Sequence, residues 1–97
     1  MRDSLLLKIC TVDRQLEKDG CDCVILNIAE DSKGGFSGSC GIRRGHAKAV
    51  FALSQGVIRA KAKDEVIFSL DVSDGFATVE NDVVTVIVDR CNEAEEK

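Results

Sequence analysis

The chain has 97 residues, enough for one ordinary core, and carries 13 Lys and Arg against 17 Asp and Glu, a net charge of −4 at pH 7. That balance excludes nucleic acid as a major partner, because neutralising phosphates needs a basic surface. No apolar run approaches the ~20 residues that cross a bilayer, and the N-terminus lacks the long apolar stretch and cleavage site of a secretion signal, so the chain is expected on the cytosolic side, touching a membrane only through a partner.

Read in chain order, the apolar pattern has a period of two. Leu5, Leu7 and Ile9 alternate with Leu6, Lys8 and Cys10. After the turn signal Lys18-Asp19-Gly20, Val24, Leu26 and Ile28 alternate with Ile25, Asn27 and Ala29. The stretch from Glu30 to Gly41 holds Gly34, Gly35 and Gly38 among polar residues and is expected to be a long loop. It lacks the G-x-x-x-x-G-K-[ST] pattern and opens no helix, so it does not read as a nucleotide-binding loop. Gly45-His46-Ala47 places the single histidine at a strand entry. Beyond Ser54-Gln55-Gly56, Ile58, Ala60 and Ala62 oppose Val57, Arg59, Lys61 and Lys63. After Lys63-Asp64, Val66, Phe68, Leu70 and Val72 oppose Ile67, Ser69 and Asp71. Ser73-Asp74-Gly75 is a further turn, with a good local hairpin signal, and Asn81-Asp82 reads as a two-residue hairpin loop before Val83-Val84-Thr85-Val86. Residues 92–97 form an acidic tail, expected frayed or weakly helical, so that 1–91 is one domain. Frequent Val and Ile, no Pro and close-spaced turns predict an all-β fold, a flattened sandwich or barrel of about eight to ten short strands.

Chemistry is sparse. An enzyme needs a nucleophile, a base and charge stabilisers converging on one place. Here one histidine is present, no carboxylate pair stands out by spacing, and His46 reads as a turn residue that bonds backbone and packs on the sheet. Five cysteines (Cys10, Cys21, Cys23, Cys40, Cys91) are an odd set. A zinc site from Cys21, Cys23, Cys40 and His46 departs from the usual pairing of ligands at C-x2–4-C spacing, and reduced thiols packed as small apolar groups are the preferred reading. Two basic groups, Arg43, Arg44 and Lys48 near His46 and the alternating Arg59, Lys61 and Lys63, read first as solvated faces and second as contacts for an acidic partner. Val83 and Ile87 point to a second apolar surface awaiting cover.

Gly45-His46-Ala47, then Leu53-x-x-Gly56-Val57, then Asp74-Gly75-Phe76-Ala77-Thr78-Val79-Glu80-Asn81-Asp82-Val83-Val84-Thr85-Val86 occur in an order and at separations that resemble the epsilon subunit of F-type ATP synthases. The resemblance runs from about Leu5 to about Arg90. It implies a β-sandwich, a Gly-marked bend at Gly75, and a non-catalytic role without cofactor or metal in the rotating central stalk. The partners it implies are the gamma subunit and the membrane c-ring, at the cytoplasmic face of an energy-transducing membrane. The family's ring-contacting loop maps onto Glu30 to Ile42, which makes Glu30, Asp31, Ser32, Gly38, Ser39, Cys40, Gly41 and Ile42 the expected ring contacts. Gly45, His46, Ala47, Gly56 and Gly75 are the expected structural positions. The chain departs from the family in a longer loop, in Arg44 where proline often precedes Gly-His, and in Asp74 for the first of a Gly pair. Only Cys91 to Lys97 follow the last strand, so the inhibitory helices and ATP site of longer members are not expected within these residues. The alternative is a free-standing β-sandwich interaction module, thiol- or metal-dependent, sharing only the fold.

Overall fold

Alternating apolar side chains become strands wherever one face can be buried, and the computed structural model, which describes residues 3–29 and 38–93, has ten of them. They are β1 (Leu5–Cys10), β2 (Gln15–Cys21), β3 (Cys23–Ile28), β4 (Gly38–Arg43), β5 (Ala49–Leu53), β6 (Gly56–Ala62), β7 (Glu65–Val72), β8 (Gly75–Glu80), β9 (Val83–Val88) and β10 (Cys91–Glu93). Pairing runs β10-β7-β6-β3-β5-β8-β9-β1-β2, with β4 on the other edge of β3. Strand β3 is the hinge of this arrangement. Its first half, Cys23 to Ile25, pairs with β6, while Ile28 at its end pairs with Leu53 of β5. One long curled sheet therefore doubles over into two layers, β10-β7-β6-β3-β4 and β5-β8-β9-β1-β2. All pairs are antiparallel except β1 with β9.

The predicted alternation is met in most strands; in β7 it holds for Leu70 and Val72 but not for Val66, which is 43% exposed beyond a register shift between β6 and β7. Leu5, Leu7 and Ile9, Val24, Leu26 and Ile28, Ile58 and Ala60, and Leu70 and Val72 line the core between the layers with Val79, Val84 and Val86. No polar or charged residue is buried among the described residues, so the core rests on apolar burial, about 1.5–3 kcal/mol for each large side chain.

The turns are of two kinds. Lys63-Asp64 and Asn81-Asp82 close tight hairpins, and all four residues have positive φ (53°, 66°, 53° and 64°), the geometry that follows the strands' right-handed twist. Ser54-Gln55 and Ser73-Asp74 are corners that carry the chain from one pairing to another. Of the two readings of Gly75, the bend is the one observed: β7 and β8 do not pair, and a Cβ at Gly75 would stand 2.1 Å from the Ile87 carbonyl oxygen. At the other corner a Cβ on Gly56 would meet the Asn27 side-chain nitrogen at 2.1 Å, and that amide donates to the Val57 carbonyl at 3.3 Å.

Two expectations need correction. The stretch expected to stay a loop up to Gly41 is strand from Gly38 onward, because β4 matches β3 position for position from Ile28↔Gly38 to Cys23↔Arg43. Asn92 and Glu93, expected in a frayed or weakly helical tail, continue β10 against Asp71 and Leu70 of β7. Glu30, Asp31 and Ser32 of the expected ring contacts lie outside the described residues, as does the tail beyond Glu93.

Candidate functional site

His46 sits at the corner between β4 and β5, and every contact it makes is local. Its backbone N–H donates to the Arg43 carbonyl at 3.3 Å, Nδ1 lies 2.7 Å from the Ala47 carbonyl, and its ring stands edge-on to Phe51 with centroids 6.0 Å apart. The Nδ1 contact places the proton on Nδ1, because a carbonyl can only accept. Gly45, with φ +78°, makes the turn, and its N–H donates to the Asp82 carboxylate at 2.8 Å. The Asn81-Asp82 hairpin of the neighbouring strands thus pins this corner, and Lys48 adds an exposed pair with Glu80 at 3.6 Å. These contacts make Gly45-His46-Ala47 a turn tied to the Asn81-Asp82 hairpin.

The thiols are dispersed. Cys21 ends β2 inside the core, and Asp22 turns the chain so that Cys23 starts β3 beneath Gly41. All five cysteines are free, and no group of three or more His, Cys, Asp or Glu among the described residues is placed to hold a metal. Burial, reinforced by the nearby Asp19 carboxylate, pushes the Cys21 thiol above its ordinary value of 9.0.

Of the expected ring-contact residues in the described part, Gly38, Ser39 and Gly41 are exposed on β4 and Cys40 is half-buried against the core. Ile42 is a correction. Its side chain is fully buried in the core and faces no partner, because β4 alternates in phase with Val24 and Leu26 of β3.

The surface that stands out is apolar and lies on the outer side of the second layer. Register aligns Ala52 of β5, Phe76 of β8, Ile87 of β9 and Cys10 of β1 in one row across the sheet. Phe76 and Ile87 are 58% and 52% exposed, Val50 on β5 reaches 70%, and Val12 in the β1–β2 turn reaches 91%. Exposed apolar side chains that share one row form a patch of the kind that marks an interaction site. Ile87 was legible as part of such a face. Val83 is only half-buried, flanked by Glu80 and Leu6. Phe76, Val50 and Val12 were missed. The available signal was phase: Phe76 alternates against the buried Ala77 and Val79, where a polar side chain is the norm.

Over residues 4–94 the chain matches the family described as "ATP synthase, Delta/Epsilon chain, beta-sandwich domain". The ATP synthase epsilon chain of Synechococcus sp. (strain JA-2-3B'a(2-13)) is 37% identical over 92 residues, 95% of this chain and 61% of that protein. The ATP synthase epsilon chain of Ruminiclostridium cellulolyticum is 29% identical over 93 residues, 96% of this chain and 63% of that protein. The chain thus spans 61% and 63% of the lengths of these two relatives. The fold superposes with a TM-score of 0.76 and 18% identity on a chain of the Euglena gracilis mitochondrial ATP synthase (OSCP/F1/c-ring), covering 96% of this chain and 55% of that one. A chain of the Tetrahymena thermophila mitochondrial ATP synthase (central stalk/c-ring) gives 0.70 and 13%, covering 95% of this chain and 68% of that one.

Proposed function

Because the chain belongs to the ATP synthase delta/epsilon family of β-sandwich domains, we propose that it is a non-catalytic central-stalk subunit of an F-type ATP synthase. In this reading it binds the gamma subunit and the membrane c-ring and couples ion-driven rotation to ATP synthesis. The observation that carries the reading is the family match, which spans residues 4–94 of 97. The build of the molecule supports it. A stalk subunit must be stiff and must present surfaces, and here an all-apolar core is clasped by corners that are hydrogen-bonded or close-packed.

The apolar row of Ala52, Phe76 and Ile87, with Val50 and Val12 beside it, is the surface we assign to gamma. The β3–β4 connection with the exposed start of β4, Gly38 and Ser39, is the part we assign to the c-ring, where small polar residues suit the polar loops of a membrane ring. The same reading makes the chain peripheral, held at the cytoplasmic face of the membrane through the complex; among the described residues no helix is long and apolar enough to cross it.

Affinity capture tests the function. Expressed with a tag in its own host, the chain should recover gamma together with the catalytic subunits of the synthase. Recovery of the chain alone would leave the free-standing module as the better reading.

A further inference from the structure

The outer face of the other layer carries a cationic feature set apart from the apolar row. Register puts Arg43 of β4 and Lys61 of β6 on either side of Cys23, and in the next row Gly41 and Arg59 on either side of Ile25. With Lys63 from the hairpin turn, Arg43 and Lys61 border a hollow of about 490 Å³ lined beneath by Cys23, Ile25 and Gly41. Gly41 keeps that floor open, since any Cβ there would press on the Cys23 sulfur at 3.2 Å.

Among the described residues no carboxylate pairs with the side chain of Arg43, Lys61 or Lys63. Two acids also line the hollow, Asp22, whose carboxylate accepts the Lys63 backbone N–H at 2.7 Å, and Asp64, so its lining carries three cations against two carboxylates (3 − 2 = 1). The chain as a whole has four more acids than bases (17 − 13 = 4), so a hollow with a cationic excess runs against the overall charge. Lys63 adds an independent sign. It holds φ +53°, a conformation in which Asn or Gly is at ease and a lysine is not.

We propose that this hollow docks an acidic segment of a protein partner, its carboxylates meeting Arg43, Lys61 and Lys63 and an apolar side chain resting on Cys23 and Ile25. The strands bearing Arg43 and Lys61 flank β3 and are therefore roughly 10 Å apart at the backbone. Carboxylates spaced along a peptide match that span, whereas a single phosphate would leave the apolar floor uncovered. The hollow and the apolar row lie on different layers of the sandwich, but Ser39, which the stalk reading assigns to the c-ring, also lines the hollow. Titration of the isolated chain with peptide therefore reads the hollow separately from any ring contact.

The test is titration of the isotope-labelled full chain, followed by amide chemical shifts, with the octapeptide Glu-Glu-Leu-Glu-Glu-Leu-Glu-Glu. Inorganic phosphate and phosphatidylserine vesicles form separate arms. Saturable shifts at Cys23, Ile25 and Gly41 with the peptide are expected. Replacing Arg43→Gln and Lys61→Gln together should weaken binding about tenfold, with Lys48→Gln, which does not line the hollow, leaving it unchanged. Lys63→Asn guards against a folding artefact, for it should weaken binding while raising the melting temperature. Equal weakening by Lys48→Gln, saturation of the same amides by phosphate at equal concentration, or engagement of these residues by vesicles but not by peptide would each overturn the proposal.

Discussion

At Gly75 the paired strand β9 comes so close that a side chain has nowhere to go: an added Cβ would lie 2.1 Å from the Ile87 carbonyl and 2.9 Å from a Val88 methyl. Gly75→Ala should therefore lower the unfolding free energy by about 2–3 kcal/mol, the scale of an overpacked interior, read as an earlier urea midpoint with unchanged slope. Local sequence marked this glycine as a turn residue. The reason for it lies twelve or more positions along the chain, in the strand it pairs with, which no local pattern could reveal. The Cys21 thiol carries a pH prediction. Its folded pKa is raised above the ordinary value of 9.0, so the folded chain keeps a proton that the unfolded chain gives up. The resulting stabilisation is complete below pH 9 and is lost as pH rises from there through the folded pKa. Thermal melts from pH 8 to 10.5 should show an alkaline loss of stability that Cys21→Ala reduces.

At the level of elements, corners decide what alternation leaves open. Ser73 Oγ accepts the backbone N–H groups of Asp89 and Arg90 at 3.2 and 3.1 Å, and the Ser73 N–H donates to the Arg90 carbonyl at 3.0 Å. One hydroxyl thereby ties the turn after β7 to the turn before β10. Ser73→Ala should cost about 1 kcal/mol in denaturant unfolding, and amide exchange should quicken first at Asp89 and Arg90. Strands with a clean apolar face, such as Ile58 to Ala62 and Leu70 to Val72, were legible because the core demands their alternation. Strand β4 was not. Gly38-Ser39-Cys40-Gly41 has the composition of a loop, and it is a strand because β3 offers it a full edge to pair with. The same holds for Asn92 and Glu93, which are polar and take strand form from the edge of β7.

On the scale of the whole molecule, the two outer faces differ in kind. One layer shows an apolar row centred on Phe76 and Ile87, and the other a cationic hollow between Arg43 and Lys61. The family motifs made the fold and the turn at His46 readable from sequence. The apolar row was only half readable, because its members come from four strands and meet only through the register of β5, β8, β9 and β1. A rotor subunit has to be gripped by its neighbour, and this row is where the account places that grip. The decisive measurement is the affinity of purified gamma for the wild-type chain and for the double variant Phe76→Asp and Ile87→Asp, with folding of both verified by amide dispersion. The account predicts tight binding of the wild type and a loss of at least about tenfold in the variant. Binding that survives both substitutions undiminished, or a wild-type chain that does not bind gamma at all, would contradict it.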